Sequence, residues 1–217
     1  MKTIYSYTAH KLQRCLAALE ENGFGTALAA TPYEAGEIVF DSMVPAIRPR
    51  LVSWGDSMTL YATGVIDRFR TMEGIELIDT FEEGVPREEI IERRRQALLC
   101  DLFLTGSNAV TEDGKLVNLD MVGNRIGGIT FGPHHVIIMV GINKIVSDVE
   151  AAIDRVKGLA APMNAIRHQD FNTPCRKTGR CTDCSNPQRI CNTWSIIEKS
   201  YPPKRIKVII IESDLGL

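Results

Sequence analysis

The chain has 217 residues, 44% of them hydrophobic and 24% charged, with a formal net charge of −2. A chain of this length and composition can bury one sizeable core, and its slightly acidic balance argues against a general electrostatic grip on nucleic acid. The longest apolar runs, Val136 to Val140 and Val208 to Ile211, are too short to span a bilayer, and the opening MKTIYSYTAHK carries no apolar signal core, so a cytoplasmic location with reduced thiols is expected.

In chain order, Thr8 to Asn22 is predicted as an amphipathic helix. Leu12, Cys15, Leu16 and Leu19 recur at helical spacing, Gly23 stops the helix, and Cys15 is expected to pack. Thr31-Pro32-Tyr33-Glu34 opens a second helix with Thr31 as N-cap and Glu34 closing a capping box; Val39 and Phe40 carry it toward Pro45. Arg50 to Trp54 reads as a strand running into Gly55-Asp56-Ser57 and a helix from Met58, the shape of an anion or substrate loop. Taken alone, Ser57 reads better as a simple N-cap. Ile75 to Ile78 is a second strand. Pro86 to Leu99 is a long helix with Ile90, Ile91, Ala97 and Leu98 inward, and Arg93, Arg94 and Arg95 form a solvated face behind Glu88, Glu89 and Glu92. Cys100 packs at its end, and Asp101 to Thr105 is a third strand.

Gly106 to Asp120 is dense in polar groups, with two short extended runs about Asp113-Gly114, a hairpin turn signal. Such density directly after a buried strand suits a ligand loop at the carboxyl edge of a parallel sheet, although a solvated hairpin is the bland alternative. Val136 to Val140 is a strongly apolar strand. Lys144 at its end is either an anion-binding ammonium or an ordinary surface lysine. His134 and His135 precede the strand, where alternation lets at most one face a given pocket. Helices are expected over Ser147 to Leu159 and Asn192 to Lys199, a short helix or turn over Pro162 to His168, and a last strand over Arg205 to Ile211. Strands alternating with helices, plus one inserted hairpin, predict a single α/β domain over 1–217 with a mainly parallel sheet covered on both faces.

Pro174 to Asn192 carries Cys175, Cys181, Cys184 and Cys191 in the spacing C-x5-C-x2-C-x6-C. Four thiolates complete a tetrahedral zinc site or ligate an iron–sulfur cluster, and Thr178, Gly179, Ser185, Asn186 and Pro187 are turn formers that let the chain fold round a centre. Two disulfides or free thiols are the competing readings. The expected reducing compartment weighs against disulfides, and the Arg/Lys-rich surroundings are unlike an apolar face that hides free cysteines. The loop precedes the last strand and is expected at the periphery of the sheet. It lacks the paired knuckles of common zinc ribbons, which argues against a nucleic-acid role.

The run LTGSNAVTEDGKLVNLDMVGNRIGGITFGPHHVIIMVGINKIV at Leu104 to Val146, with SWGDSMTL at Ser53 to Leu60 and RIKVIIIESDLG near the C-terminus, resembles the lactate-utilisation (LUD) domain family, which includes lactate utilisation protein C. The resemblance implies a three-layer α/β/α fold similar to the NagB/RpiA/CoA-transferase-like group. It implies a role in bacterial L-lactate oxidation to pyruvate alongside iron–sulfur partner subunits, with a small carboxylate or phosphorylated ligand at the sheet edge. Carried onto this chain, it points to Ser53, Gly55 and Ser57 in a first loop. Thr105, Ser107 and Asn108 belong to a second, with Glu112 or Asp113 as candidate general base, and Asn124, Arg125 and Lys144 to a third. The alternative is a non-catalytic electron-transfer or assembly subunit using the four-cysteine centre, with the pathway association favouring iron–sulfur slightly over zinc. An isologous homodimer is the expected oligomer.

Overall fold

A computed structural model describes residues 2–168 and 170–217. The chain opens with helix α1 (Lys2–Glu21), which begins well before Thr8 and ends where Gly23 takes φ +79°. Strand β1 (Gly25–Ala29) follows, then α2 (Pro32–Ile38). The Thr31 side chain accepts from Glu34 N at 3.1 Å, and Glu34 reaches back to Ala30 N at 2.7 Å, one residue short of a strict capping box. The helix does not stop at Pro45. A π-helical stretch over Val39–Met43 widens the turn ahead of α3 (Val44–Ile47), which accommodates a ring that cannot donate and would crowd the preceding carbonyls. The same arrangement recurs at Val156–Ala160 ahead of Pro162.

Strand β2 (Leu51–Trp54) leads through Ser57 into the short α4 (Met58–Tyr61), then α5 (Val65–Arg70) and β3 (Glu76–Ile78). Helix α6 (Arg87–Gln96) and a 3-10 turn precede β4 (Leu102–Gly106). The hairpin is β5 (Ala109–Thr111) and β6 (Leu116–Asp120), followed by α7 (Asn124–Thr130), β7 (His135–Gly141) and the two-residue β8 (Ile145–Val146). Helices α8 (Val149–Arg155), α9 (Ala161–Arg167) and α10 (Pro174–Thr178) lead into the cysteine loop, and β9 (Thr193–Ile197) and β10 (Ile206–Ile211) close the chain.

Six strands form a wholly parallel sheet in the order β1-β10-β7-β4-β2-β3. Its strands read as continuous apolar runs because both faces are covered, with alternate residues entering opposite cores. Leu102, Leu104, Ile137, Met139, Ile209 and Ile211 pack with Phe40, Val65 and Phe69 on one face. Phe103, Val136, Ile138, Val140, Val208 and Ile210 pack with Leu12, Cys15 and Leu19 of α1 on the other. Truncating a fully buried residue such as Ile138 to Ala is expected to cost roughly 2–5 kcal/mol.

The hairpin belongs to a second sheet of order β8-β5-β6-β9. Residues Asn192 to Lys199 are therefore largely strand rather than helix: β9 pairs antiparallel with β6, Val117 opposite Ile196. Thr193, Trp194, Ile196 and Ile197 favour an extended chain, and the open edge of β6 supplies the ladder. Asp113 and Gly114 form the hairpin turn, with Gly114 at φ +79°, and a Cβ there would stand 2.6 Å from the backbone of Ala18, so the tip lies against α1. No helix among the described residues is long and apolar enough to cross a membrane.

Candidate functional site

The chain runs from β2 outward to β3, then crosses back over β2 to β4 and on to β7. That reversal opens a crevice at the carboxyl ends of β2 and β4, where ligands of open α/β sheets bind. Gly55 and Gly106 allow the two strand ends to approach. A Cβ on Gly106 would stand 2.5 Å from Ser57 Oγ, and one on Gly55 would stand 2.8 Å from Thr105 Oγ1. Above the crevice lies a cavity of about 780 Å³, a volume suited to a small metabolite or cofactor fragment.

Of the residues singled out in the sequence, Ser57, Ser107, Asn108, Asn124, Arg125 and Lys144 line this cavity. Ser57 is both lining and N-cap, accepting from Leu60 N at 3.2 Å. Ser53, Gly55 and Thr105 do not line it; Ser53 Oγ donates to Ile78 O at 2.8 Å and so ties β2 to β3. Glu112 and Asp113 are not brought to the cavity. At the hairpin turn Glu112 accepts from Arg14 at 2.6 Å, and Asp113 pairs with Lys115 at 2.9 Å. His134 and His135 sit at the amino end of β7, the opposite edge of the sheet from Lys144.

Lys144 is buried, with 5% of its surface exposed. Its Nζ donates to Thr59 Oγ1 at 3.1 Å, and among the described residues no carboxylate lies within ion-pair distance. Burial lowers its pKa to about 7, and the neighbouring Arg155 and Arg125 add repulsion. The segment after β10 folds over it: Leu215 N donates to Asn143 Oδ1 at 3.1 Å, and Leu217 reaches the cavity lining. Arg125 is held by neutral acceptors, with Nη2 on Asn108 Oδ1 and Leu119 O, both at 2.8 Å, and Nη1 on Asn118 Oδ1 at 3.2 Å. Asp120 takes the backbone N–H groups of Arg125 and Ile126 at 3.1 and 3.2 Å, fixing the start of α7 under the cavity.

Several lining residues were not picked out in the sequence. Arg94 faces inward one turn after Ile90, not outward with Arg93 and Arg95, which pair with glutamates. Its Nε is buried without a partner, and its guanidinium lies 5.8 Å from the centre of the Phe81 ring. The signal was the four-residue spacing to an apolar lining position. Asp56 is clamped by Arg167, whose Nη1 donates to Oδ1 at 3.1 Å, with His168 Nε2 at 3.7 Å from Oδ2. Burial pushes the Asp56 pKa up, but the nearby His168 ring and the Arg167 guanidinium outweigh it and hold the carboxyl at about 2. No local pattern joins Asp56 to Arg167, since the pair spans the chain.

The cysteine loop is not remote from this site. Phe171, Gln188 and Ile190 form part of the cavity wall. Cys15 and Cys100, by contrast, lie in the core, where burial pushes both thiols up to about 12.

A family model described as the LUD domain matches residues 12–211. The crystal structure of a DUF162 family protein from Deinococcus radiodurans is similar, with a TM-score of 0.51 at 15% identity over 94% of this chain and 98% of that one. At that identity the likeness speaks for the fold. A search of curated proteins returns no match.

Proposed function

The chain belongs to the LUD domain family, which is associated with lactate utilisation, and on that premise we propose that it binds a small anionic metabolite in the cavity at the carboxyl edge of its parallel sheet. The ligand is a small carboxylate or phosphorylated compound, and the role is in L-lactate oxidation to pyruvate together with iron–sulfur partner subunits. One observation carries this reading: Lys144 is buried against a neutral hydroxyl, in a cavity that Arg94 and Arg125 also enter without ion-pair partners among the described residues. A buried cation is costly unless a counter-charge arrives. An anionic ligand would supply it, with Arg125 contributing the charge of its anchored guanidinium and Lys144 a point charge. Asp56, already neutralised by Arg167, does not compete for that role.

Calorimetry with pyruvate, L-lactate and inorganic phosphate tests the binding, and a redox-dye assay with L-lactate and the partner subunits tests turnover. Charged hydrogen bonds contribute roughly 1.5–3 kcal/mol each, so Lys144→Met or Arg125→Ala is expected to weaken the bound anion by about ten-fold or more. Equal affinity in wild type and both variants, or no binding by any of the three anions and no turnover, would refute the reading.

A further inference from the structure

We propose that Cys175, Cys181, Cys184 and Cys191 bind one zinc ion as a closed tetrathiolate site that staples one wall of the large cavity. This inference stands on the cysteine loop alone and does not depend on what the large cavity binds. All four thiols line one small cavity of about 20 Å³, closed below by Ala161 and Pro162 at the start of α9. A single water-sized sphere occupies roughly 10–15 Å³. That is room for one ion among the four thiols.

The backbone around the thiols is arranged as a ligand cradle. Gly179, at φ +67°, ends α10 and turns the chain back toward Cys181. Asp183 adopts φ +47°, which few non-glycine residues do, and its N–H points at Cys181 Sγ at 3.4 Å. An N–H aimed at a sulfur is the kind of outer contact that orients a metal-bound thiolate. Thr173 Oγ1 lies 3.3 Å from Cys175 Sγ. Arg189 donates to the carbonyls of Cys184 at 2.7 Å and Cys191 at 2.8 Å, which sets these two cysteines relative to one another and places a positive charge beside the thiolates.

Among the described residues, no three Cys, His, Asp or Glu side chains already stand at metal-ligating separation. Completing the shell therefore requires the thiols to draw closer together than they stand. Four sulfur ligands leave no open coordination position, so the ion is a structural one. Its role follows from Ile190, which lines both the small cavity and the large one. Holding Cys184 and Cys191 on one ion holds the segment between them, with Gln188 and Ile190, against the larger site.

The test uses the full chain purified anaerobically, with metal analysis, followed by chelation under reducing conditions and titration with Co2+. The expected result is about one zinc per chain as purified and one equivalent of Co2+ bound. The bound Co2+ should give the ligand-field bands and sulfur-to-metal charge transfer of a tetrahedral tetrathiolate, and Zn2+ should abolish them. Zn2+ should also slow proteolysis within 174–192, and Cys184→Ser should lose the Co2+ spectrum. Because that variant could misfold, the wild-type titration decides. A folded, reduced wild type with no Co2+ spectrum overturns the proposal. So does a brown chromophore bleached by dithionite with iron and sulfide in stoichiometric amount, or a thiol count showing two disulfides.

Discussion

Lys144 gathers the energetic tension of the site into one side chain. Its pKa of about 7 in the folded chain, against an ordinary value near 10.5, means that folding penalises its charged form. Below about pH 7 both folded and unfolded chains carry the proton and the whole penalty is present. As pH rises from about 7 toward about 10, the folded chain sheds the proton first and the penalty is relieved. Each ten-fold loss of proton affinity on folding corresponds to roughly 1.4 kcal/mol, so the effect reaches a few kcal/mol. Lys144→Met is therefore expected to raise the melting temperature at about pH 6 and to lose that advantage near pH 10, as thermal melts across that range would reveal. Affinity for a carboxylate probe such as pyruvate should fall as pH climbs above about 7, up to ten-fold per pH unit, and Lys144→Met should abolish that slope. Asp56 behaves with the opposite sign. Its folded pKa of about 2 lies below the ordinary 3.8, so its stabilisation is present above about pH 4 and disappears as pH falls through about 2. Asp56→Asn should cost up to about 2 kcal/mol in a urea titration at neutral pH and almost nothing at the acid end. A cost that stayed constant with pH would mean that the Arg167 clamp is not its source.

Helix α6 illustrates how an element can face two ways. None of its residues is fully buried, and Arg93 and Arg95 form the solvated pairs expected of a charged helix, yet Arg94 points into the large cavity. Arg94→Met should weaken anion binding by about ten-fold while leaving stability equal or slightly higher, since a buried Nε without a partner is removed. Arg95→Met should alter neither, because exposed ion pairs contribute roughly 0–1 kcal/mol. Calorimetry and chemical denaturation on the two variants would separate these expectations, and equal effects would return the whole arginine run to the solvent. Strand β9 carries a related lesson. Its alternating burial is weak, and nothing within Asn192 to Lys199 announces a partner. The ladder with β6 is made of residues more than seventy positions away, and that non-local pairing turned an expected helix into a strand.

At the scale of the molecule, the reversal of strand order between β2 and β4 places the site. Three neighbouring strands, β2, β4 and β7, deliver Ser57, Ser107 with Asn108, and Lys144 to one edge, and the close approach at Gly106 lets the first two meet. Gly106→Ala would drive a methyl group into Ser57 and is expected to cost about 1–3 kcal/mol, with a measurable loss of anion affinity. Wild-type stability in that variant would mean that the crevice is looser than its geometry implies. Much of this architecture was legible in the chain: the continuous apolar runs of the central strands, the caps at Thr31 and Ser57, and the turns at Gly23 and Gly114 all depend on neighbours a few residues away. The polar density from Ser107 to Arg125 marked a segment of which Ser107, Asn108, Asn124 and Arg125 line the cavity, although Glu112 and Asp113 within it belong to the far side of the hairpin. What sequence by itself determined is therefore the α/β class, the two-faced core and most of the loops that reach the site. Only the tertiary structure decided which charges meet there. The burial of Lys144, the inward turn of Arg94, the clamp of Arg167 on Asp56 and the cysteine loop as a cavity wall each arise between segments far apart in the chain. Local periodicity and propensity carry no information about such pairings.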